Sequence, residues 1–206
     1  MERFVELDAR GVKDRDFRCE TITPIETLSG GSMLHRMELM CMQVQADFTR
    51  EVEQIEPNKT FQIDEWKRPN NTGGGITMVL QDGLHFEKSG VGISVVHSKM
   101  TAPMAAQMRS RGHKLKPIVE GEPMPFSVVG VSCVTHPINP HCPTIHFNYR
   151  YFEVTTADGI EAWFGGGTDL TPSYLNEEDI VHFHASQRAA CRYYLTLRDS
   201  GTTCSA

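Results

Sequence analysis

The spacing of apolar residues changes once along this 206-residue chain, and that change restricts the folds open to it. From Ser32, a residue suited to an N-cap, to Ile55, apolar side chains recur every three or four residues, as on one face of a helix. Pro57 and Asn58 predict the end of that helix. From Ile76 onward apolar and polar residues alternate, which is typical of half-buried strands. The predicted apolar helix face consists of Met33, Met37, Met40, Val44, Phe48, Val52 and Ile55.

Turn and capping signals divide the rest of the chain into short strands and two further helices. Asp82-Gly83 and residues 157–159 are typical of hairpin turns, and the polar stretch 67–75, with three glycines, predicts a loop. Thr101 and Asn176 are suited to cap helices. This order predicts an α+β fold, a mostly antiparallel β-sheet flanked by helices. The predicted strands are 76–81, 84–97, 127–135, 145–155 and 160–164.

Charge and cysteine spacing argue against several classes of protein. The formal net charge is −6, whereas a nucleic-acid-binding surface usually shows as a basic stripe. The six cysteines are scattered without a CxxC pair, which argues against a zinc ribbon or an iron–sulfur cluster. No apolar run is long enough for a membrane span. We therefore expect no nucleic-acid partner and no transmembrane segment.

The start of the chain predicts an irregular lead-in over residues 1–31, where few apolar positions are periodic. The first residues carry Glu2, Glu6 and Asp8. They lack the apolar core of a signal peptide and the acid-poor character of a transit peptide. This composition predicts a cytoplasmic protein.

The strand predicted around residues 144–152 is the most informative for function. Successive side chains of a strand point to opposite faces, so His146, Asn148 and Arg150 share one face and apolar residues occupy the other. A guanidinium binds carboxylates bidentately, and an imidazole moves protons near neutral pH. This face suits an anionic ligand, although a solvent-facing polar face would show the same pattern.

Neighbouring segments favour a built site. Alternation places Ser132 and His136 on one strand face, and residues 136–143 hold three prolines, which stiffen the connection. The three glycines at 165–167 predict a loop whose backbone approaches a ligand closely and presents Asp169 beyond it. No Gly-Lys-Ser/Thr follows, so a phosphate-binding loop is not predicted.

The last predicted helix carries two histidines, and they lie two residues apart. Residues at that spacing do not share a helix face, so only one is expected to point at the site. His184 aligns with Ile180 and Val181 on the predicted buried side, and His182 lies on the predicted solvent-exposed side of the helix. A histidine with a purely structural role would fit the same position.

Long stretches of the sequence between about Met33 and Cys191 match one known family, and the strongest matches are Gly130–Glu153 and Trp163–Pro172. Further matching segments are Arg36-Met37-Glu38, Gly73–Gly75, Phe86–Val91, Ser94–His97, Tyr174-Leu175, Glu178-Asp179 and His182-Phe183-His184. In these segments the chain closely resembles the oxygen-dependent coproporphyrinogen III oxidase family.

The resemblance implies an enzyme of haem synthesis. Its substrate is coproporphyrinogen III, two propionates of which become vinyl groups to give protoporphyrinogen IX, with molecular oxygen as oxidant. No organic cofactor is implied, and a divalent metal is assigned only in some bacterial members. A homodimer is expected. Members are cytosolic in many organisms, and the mitochondrial intermembrane space is the alternative compartment.

The resemblance also implies roles for individual residues. Arg150 suits the propionate clamp, Asp169 the acceptor for pyrrole N–H groups, and His146 the proton transfer. The positions that match substrate-binding residues of the family are Ser132, Asn148, Tyr149 and Arg150. The positions that match histidines assigned to a metal are His136, His146 and His184.

The sequence departs from the family after Cys191. Family members continue with further strands, whereas residues 192–206 are a divergent tail. This implies a partial oxidase domain over residues 32–191 that is incomplete at its C-terminus. An open sheet edge and uncovered apolar surface promote association, so we expect the isolated chain to be inactive or poorly folded. The alternatives to an active enzyme are a non-catalytic porphyrin-binding form and a form that pairs with a full-length subunit.

Overall fold

Six antiparallel strands form one sheet in the computed structural model, which describes residues 16–28, 31–118 and 124–196. Each described strand pairs with its neighbours in sequence, so the order across the sheet is the order along the chain. The α+β prediction is confirmed. The strands are β1 Gln62–Lys67, β2 Gly73–Gln81, β3 Phe86–Lys99, β4 Pro125–Pro137, β5 Thr144–Thr156 and β6 Gly159–Thr171. The helices are α1 Ile25–Leu28, α2 Met33–Ile55, α3 Ala102–Ser110 and α4 Glu177–Thr196.

Helix α2 covers one face of the sheet. Its predicted N-cap is confirmed, because the Ser32 side chain accepts the N–H of His35 at 3.2 Å. The buried face differs from the predicted one, since Met33 and Ile55 are 41% and 54% exposed. It includes the polar Gln45, which donates to main-chain carbonyls of β2 and β3, so hydropathy alone misplaced the face. The buried residues of α2 are Leu34, Met37, Glu38, Leu39, Cys41, Met42, Gln45, Ala46, Thr49 and Val52.

The main core lies between α2 and the sheet. The predicted alternation along β2 is confirmed, because Ile76, Met78 and Leu80 are buried and the residues between them are less so. The lead-in contributes as well, since Phe17, Cys19 and Ile22 pack against this core. The strand residues of the main core are Ile76, Met78, Leu80, Val91, Ile93, Val95, Val129, Val131, Cys133, Phe147 and Tyr151.

The opposite face of the sheet is covered at one end only by the described elements. Around α3 a second apolar cluster forms, and it includes Phe126, Val154 and Leu115. Phe152 stacks between Phe126 and Trp163, with ring centroids 5.1 Å and 4.8 Å away. The rest of this surface is called the open face below, and it includes the even-numbered residues from 130 to 136 of β4 and from 144 to 150 of β5.

One strand was missed from the sequence, and parts of two others were wrongly expected to be loops. Strand β1 was not predicted, because all six of its residues are exposed and mostly polar. Strands β2 and β6 include residues 73–75 and 165–167, which were predicted to be loops. Glycine disfavours strands locally, but pairing with a neighbouring strand overrides that preference. None of the described helices is long and apolar enough to cross a membrane.

Candidate active site

The polar face predicted for β5 is confirmed. Phe147 and Tyr151 are buried beneath α2, whereas His146, Asn148 and Arg150 lie on the open face. Arg150 donates from Nη1 to Asn148 Oδ1 at 2.6 Å. The amide thus steadies the guanidinium while its other N–H groups remain able to bind an anion.

His146 and Asp169 form a pair across two strands. The register of β5 and β6 places these residues opposite each other, and His146 Nδ1 lies 2.6 Å from Asp169 Oδ2. Thr171 donates to the other carboxylate oxygen at 3.2 Å. Because an ionised carboxylate only accepts hydrogen bonds, Nδ1 carries the hydrogen and donates it. The Nε2 atom is therefore the position from which His146 can exchange a proton with a ligand.

Ser132 lies beside these groups on the open face. It is exposed, and β4 pairs with β5 so that Ser132 is opposite Asn148. A groove of about 630 Å³ extends from Asn148 and Arg150 over β4 and β3 as far as Trp66 on β1. The structure therefore brings together, on one face, Ser132, His146, Asn148, Arg150 and Asp169.

Tyr149 lies on the other face of the sheet. Its ring stacks on Phe147 with centroids 5.7 Å apart, and its hydroxyl hydrogen-bonds to Thr168. The strand alternation that unites His146 with Arg150 necessarily turns Tyr149 away from them. In this arrangement the side chain does not meet a ligand bound on the open face.

The glycines of β6 make room for side chains of β5 and do not form the predicted ligand-binding loop. A Cβ at Gly165 would lie 3.4 Å from Arg150 Nε, so the guanidinium stem rests on that glycine. A Cβ at Gly166 would lie 2.7 Å from Tyr149 Cδ1. The expectation of a loop at residues 165–167 was wrong, because these residues pair with β5 within the sheet.

The three histidines implied as metal ligands are not assembled into a set. His136 has Thr144 Oγ1 as its neighbour at 3.4 Å, and His146 is engaged by Asp169. Among the described residues no three His, Cys, Asp or Glu side chains are grouped to hold a metal ion. The residues present do not fit a metal centre, and no chemical step is assigned to one.

A second cavity, with about 660 Å³ of space, lies between the end of β6 and α4. Asp169 and His184 both line it, as does Tyr174, whose ring stacks on His141 at 4.9 Å. Of the two helical histidines, His184 and not His182 faces this cavity, as predicted. Asp169 thus borders this cavity while it holds His146 on the open face.

The predicted burial beside His184 was wrong. Ile180 and Val181 are 38% and 68% exposed, because α4 meets the sheet near the end of β6 and no other described element covers it. A helix with one apolar stripe predicts a partner surface, but the stripe cannot indicate whether that surface lies within the described residues.

Sequence reasoning missed Trp66, Thr77 and Ser94, which line the groove. They lie on β1, β2 and β3, on the same face as Arg150, four strands away in the case of Trp66. Alternation assigns each residue to one of two faces of its strand, but only the sheet order brings the same faces of distant strands together.

Known proteins of one family match most of this chain in sequence. Residues 36–197 match the family model described as coproporphyrinogen III oxidase. An oxygen-dependent coproporphyrinogen-III oxidase of Drosophila melanogaster is 54% identical over 179 residues, which cover 85% of this chain and 45% of that protein. The mitochondrial enzyme of Homo sapiens is 53% identical over 162 residues, 78% of this chain and 35% of that protein. Coproporphyrinogen-III oxidase 1, chloroplastic, of Arabidopsis thaliana is 43% identical over 177 residues, which cover 84% of this chain and 44% of that protein. The chain spans less than half the length of these curated relatives.

Proposed function

The chain belongs to the coproporphyrinogen III oxidase family, and from that premise we propose that its open sheet face binds coproporphyrinogen III and takes part in its oxygen-dependent conversion to protoporphyrinogen IX. The observation that carries the proposal is the position of Arg150 and the His146–Asp169 pair on the same sheet face, with Arg150 lining the groove. The conversion of a propionate requires a group that binds the carboxylate anion and a group that transfers protons.

The reaction balances with oxygen as the only oxidant. For each propionate, R–CH₂–CH₂–COO⁻ + O₂ + H⁺ gives R–CH=CH₂ + CO₂ + H₂O₂. The bond to the carboxylate carbon breaks and its electron pair forms the vinyl double bond. The C–H bond next to the pyrrole also breaks, and its two electrons reduce oxygen. The protein has to hold the carboxylate and manage protons, so we propose that no cofactor is required.

Arg150 is proposed as the clamp for the reacting propionate. Its exposed guanidinium is held by Asn148 at 2.6 Å, which fixes one end of the fork and leaves further N–H groups for a carboxylate. Ser132 and Asn148 offer polar groups in the adjacent row of the sheet. Fixed donors orient the substrate without reorganisation during the reaction.

His146 is proposed as the proton-transfer residue. Asp169 orients the ring, since the carboxylate accepts the Nδ1 hydrogen and leaves Nε2 to exchange a proton with the substrate. In this arrangement the main contact of Asp169 is with His146, and a lone pair of the Asp169 carboxylate remains for a pyrrole N–H.

Two proposals concern the assembled protein. We infer a homodimer from the family resemblance, and sedimentation of the purified chain tests it.

For the compartment, the word mitochondrial in the name of the human relative and chloroplastic in that of the plant relative favour an organelle over the cytoplasm predicted from composition. Localisation of a tagged full-length gene product tests this point.

Turnover of coproporphyrinogen III by the purified chain, with and without oxygen, tests the proposal against the expectation from the sequence that the isolated chain is inactive or poorly folded. The proposal predicts release of carbon dioxide and formation of vinyl product only with oxygen, and a loss of about 10²-fold or more in kcat for His146→Ala. His182→Ala is the matched control, since that histidine is exposed and does not line the cavity beside Asp169. Equal activity of the His146 and His182 variants would contradict the proposal. Tight porphyrin binding without carbon dioxide would favour a binding-only form.

A further inference from the structure

We infer that Trp66 contacts the substrate and selects for ligands of large size. Its ring forms the wall of the groove opposite Arg150, and the tetrapyrrole lies with one face against β2, β3 and β4. This inference rests on the proposed function and extends it to a residue on the far edge of the sheet. Trp66 lines the same groove as Ser132, Asn148 and Arg150.

The indole of Trp66 is fixed against the open face. β1 and β2 pair so that Trp66 lies opposite Gly75. A Cβ at Gly75 would lie 2.3 Å and 2.4 Å from the indole atoms Cζ2 and Cε2, so the ring lies over the glycine where any other residue would displace it. The side chain remains 37% exposed. An aromatic surface is thus preorganised on the wall of the groove and open to a ligand.

The surface between Trp66 and Arg150 carries almost no side chains. One row across the paired strands runs from Trp66 through Gly75, Ser94 and Gly130 to Arg150. Adjacent strands lie about 4.8 Å apart. Because the indole lies over Gly75 on β2, three spacings, ~14 Å, separate it from Arg150 on β5. That span exceeds what a small acid gripped by Arg150 alone would occupy, and it suits a large, disc-shaped ligand.

Gly92 lies in the neighbouring row of the sheet, at the bottom of the groove, and the space above this residue is open as well. A Cβ there would meet only Thr77 Oγ1, at 4.0 Å, among the described residues. Its φ is not in the left-handed region, so neither packing nor backbone conformation requires glycine. Glycine inside a strand weakens the strand, and it commonly marks a close approach by a ligand or another backbone.

The chemistry of the two walls matches the two parts of the substrate. A pyrrole ring offers a flat apolar face, which stacks favourably on an indole, and a propionate pairs with a guanidinium. Trp66 therefore contributes only when the ligand is large enough to reach it while Arg150 holds a carboxylate. A monopyrrole that carries one propionate should bind with an affinity that does not depend on Trp66.

The test is equilibrium binding of coproporphyrin III, a stable stand-in for the substrate, and of a monopyrrole propionate to the full chain. For Trp66→Ala we expect affinity for the porphyrin to fall about tenfold and affinity for the monopyrrole to stay within twofold. Trp66→Phe should recover most of the loss. Gly92→Leu, which fills the floor without touching β1, should also weaken porphyrin binding about tenfold. Ile63→Ala is the matched control, because Ile63 lies on the same strand, faces the other side and is 41% exposed.

The outcomes separate this inference from the proposed function. If Arg150→Ala abolishes porphyrin binding while Trp66→Ala and Gly92→Leu bind like the parent chain, the inference is wrong and the proposed function stands. If the folded parent chain neither binds nor converts the porphyrinogen, both are wrong. A loss of monopyrrole binding equal to the loss of porphyrin binding in Trp66→Ala would also overturn the inference, since it would indicate a disturbed site.

Discussion

At the residue scale, two carboxylates stabilise different parts of the molecule. Glu56 follows the last residue of α2, is 1% exposed, and accepts the N–H groups of Leu84, His85 and Phe86 at 2.7, 2.8 and 3.1 Å. It therefore closes the turn between β2 and β3. Gly83 is required there, because a Cβ would lie 2.4 Å from Glu56 Oε2. Asp169, by contrast, is half exposed and orients the ring of His146.

The titration of Glu56 predicts acid sensitivity. Burial by itself raises the pKa of Glu56, but the three backbone donors outweigh burial and hold the pKa below its ordinary value. A carboxyl whose pKa is lowered by folding stabilises the fold above the unfolded pKa, and this stabilisation is lost as pH falls through the folded pKa. Glu56→Gln should cost about 1–3 kcal/mol at pH 7. Urea unfolding from pH 7 to pH 3 should show that cost shrinking with acidity, and a constant difference would contradict the account.

The His146–Asp169 pair predicts an effect on turnover. Asp169→Asn replaces an acceptor with an amide that can present its N–H₂ to the ring, so the tautomer and orientation of His146 are no longer fixed. We expect kcat to fall about 10²-fold or more while KM changes little. Asp158→Asn is the control, because Asp158 lies in the turn between β5 and β6 at the far end of these strands. Steady-state kinetics that treat the two variants alike would rule out this role of the pair.

Single residues of the site were predicted where the reasoning needed one strand only. His146, Asn148 and Arg150 share a face because alternation is local. Their partners were harder to predict, since the contact of His146 with Asp169 depends on the register between β5 and β6. Register is set by pairing along the whole hairpin, which no short pattern encodes.

At the element scale, β6 shows how glycines serve a neighbouring strand. Arg150 rests on Gly165 and Tyr149 on Gly166, whereas a Cβ at Gly167 would meet nothing within 4 Å among the described residues. The sequence predicted a loop that approaches a ligand here because three glycines lower strand propensity. The long β5 overrides that tendency by pairing with every residue of β6.

Adjacent glycines of β6 should respond differently to alanine. In Gly166→Ala the new Cβ would lie 2.5 Å from the carbonyl oxygen of Asn148, so the strand or the Tyr149 ring must move at a cost of about 1–3 kcal/mol. Gly167→Ala should change stability by less than about 0.5 kcal/mol. Thermal unfolding of the two variants measures the difference. Equal melting temperatures would show that β6 is not packed against β5 as described.

At the scale of the whole molecule, the two faces of the sheet are unequal. Helix α2 and the main core close one face, and the α3 cluster closes only one end of the other. Helices, hairpins and the α+β class were predictable from spacing because these are local or nearest-neighbour features. The depth of the groove was not, since it depends on small residues from β2, β3 and β4 that lie in adjacent rows of the sheet. The open face and its polar border are consistent with a ligand as large as a tetrapyrrole.

The central claim is that this open face is where the porphyrin binds, and amide chemical shifts measured during titration with coproporphyrin III test it most directly. An aromatic macrocycle lying on the sheet shifts the resonances of nuclei beneath it. The account predicts the largest changes at Gly92, Gly130 and Ser132, with only small changes at core residues under α2 such as Val95. Changes concentrated on the α2 side, or no change on the open face at saturating porphyrin, would contradict it.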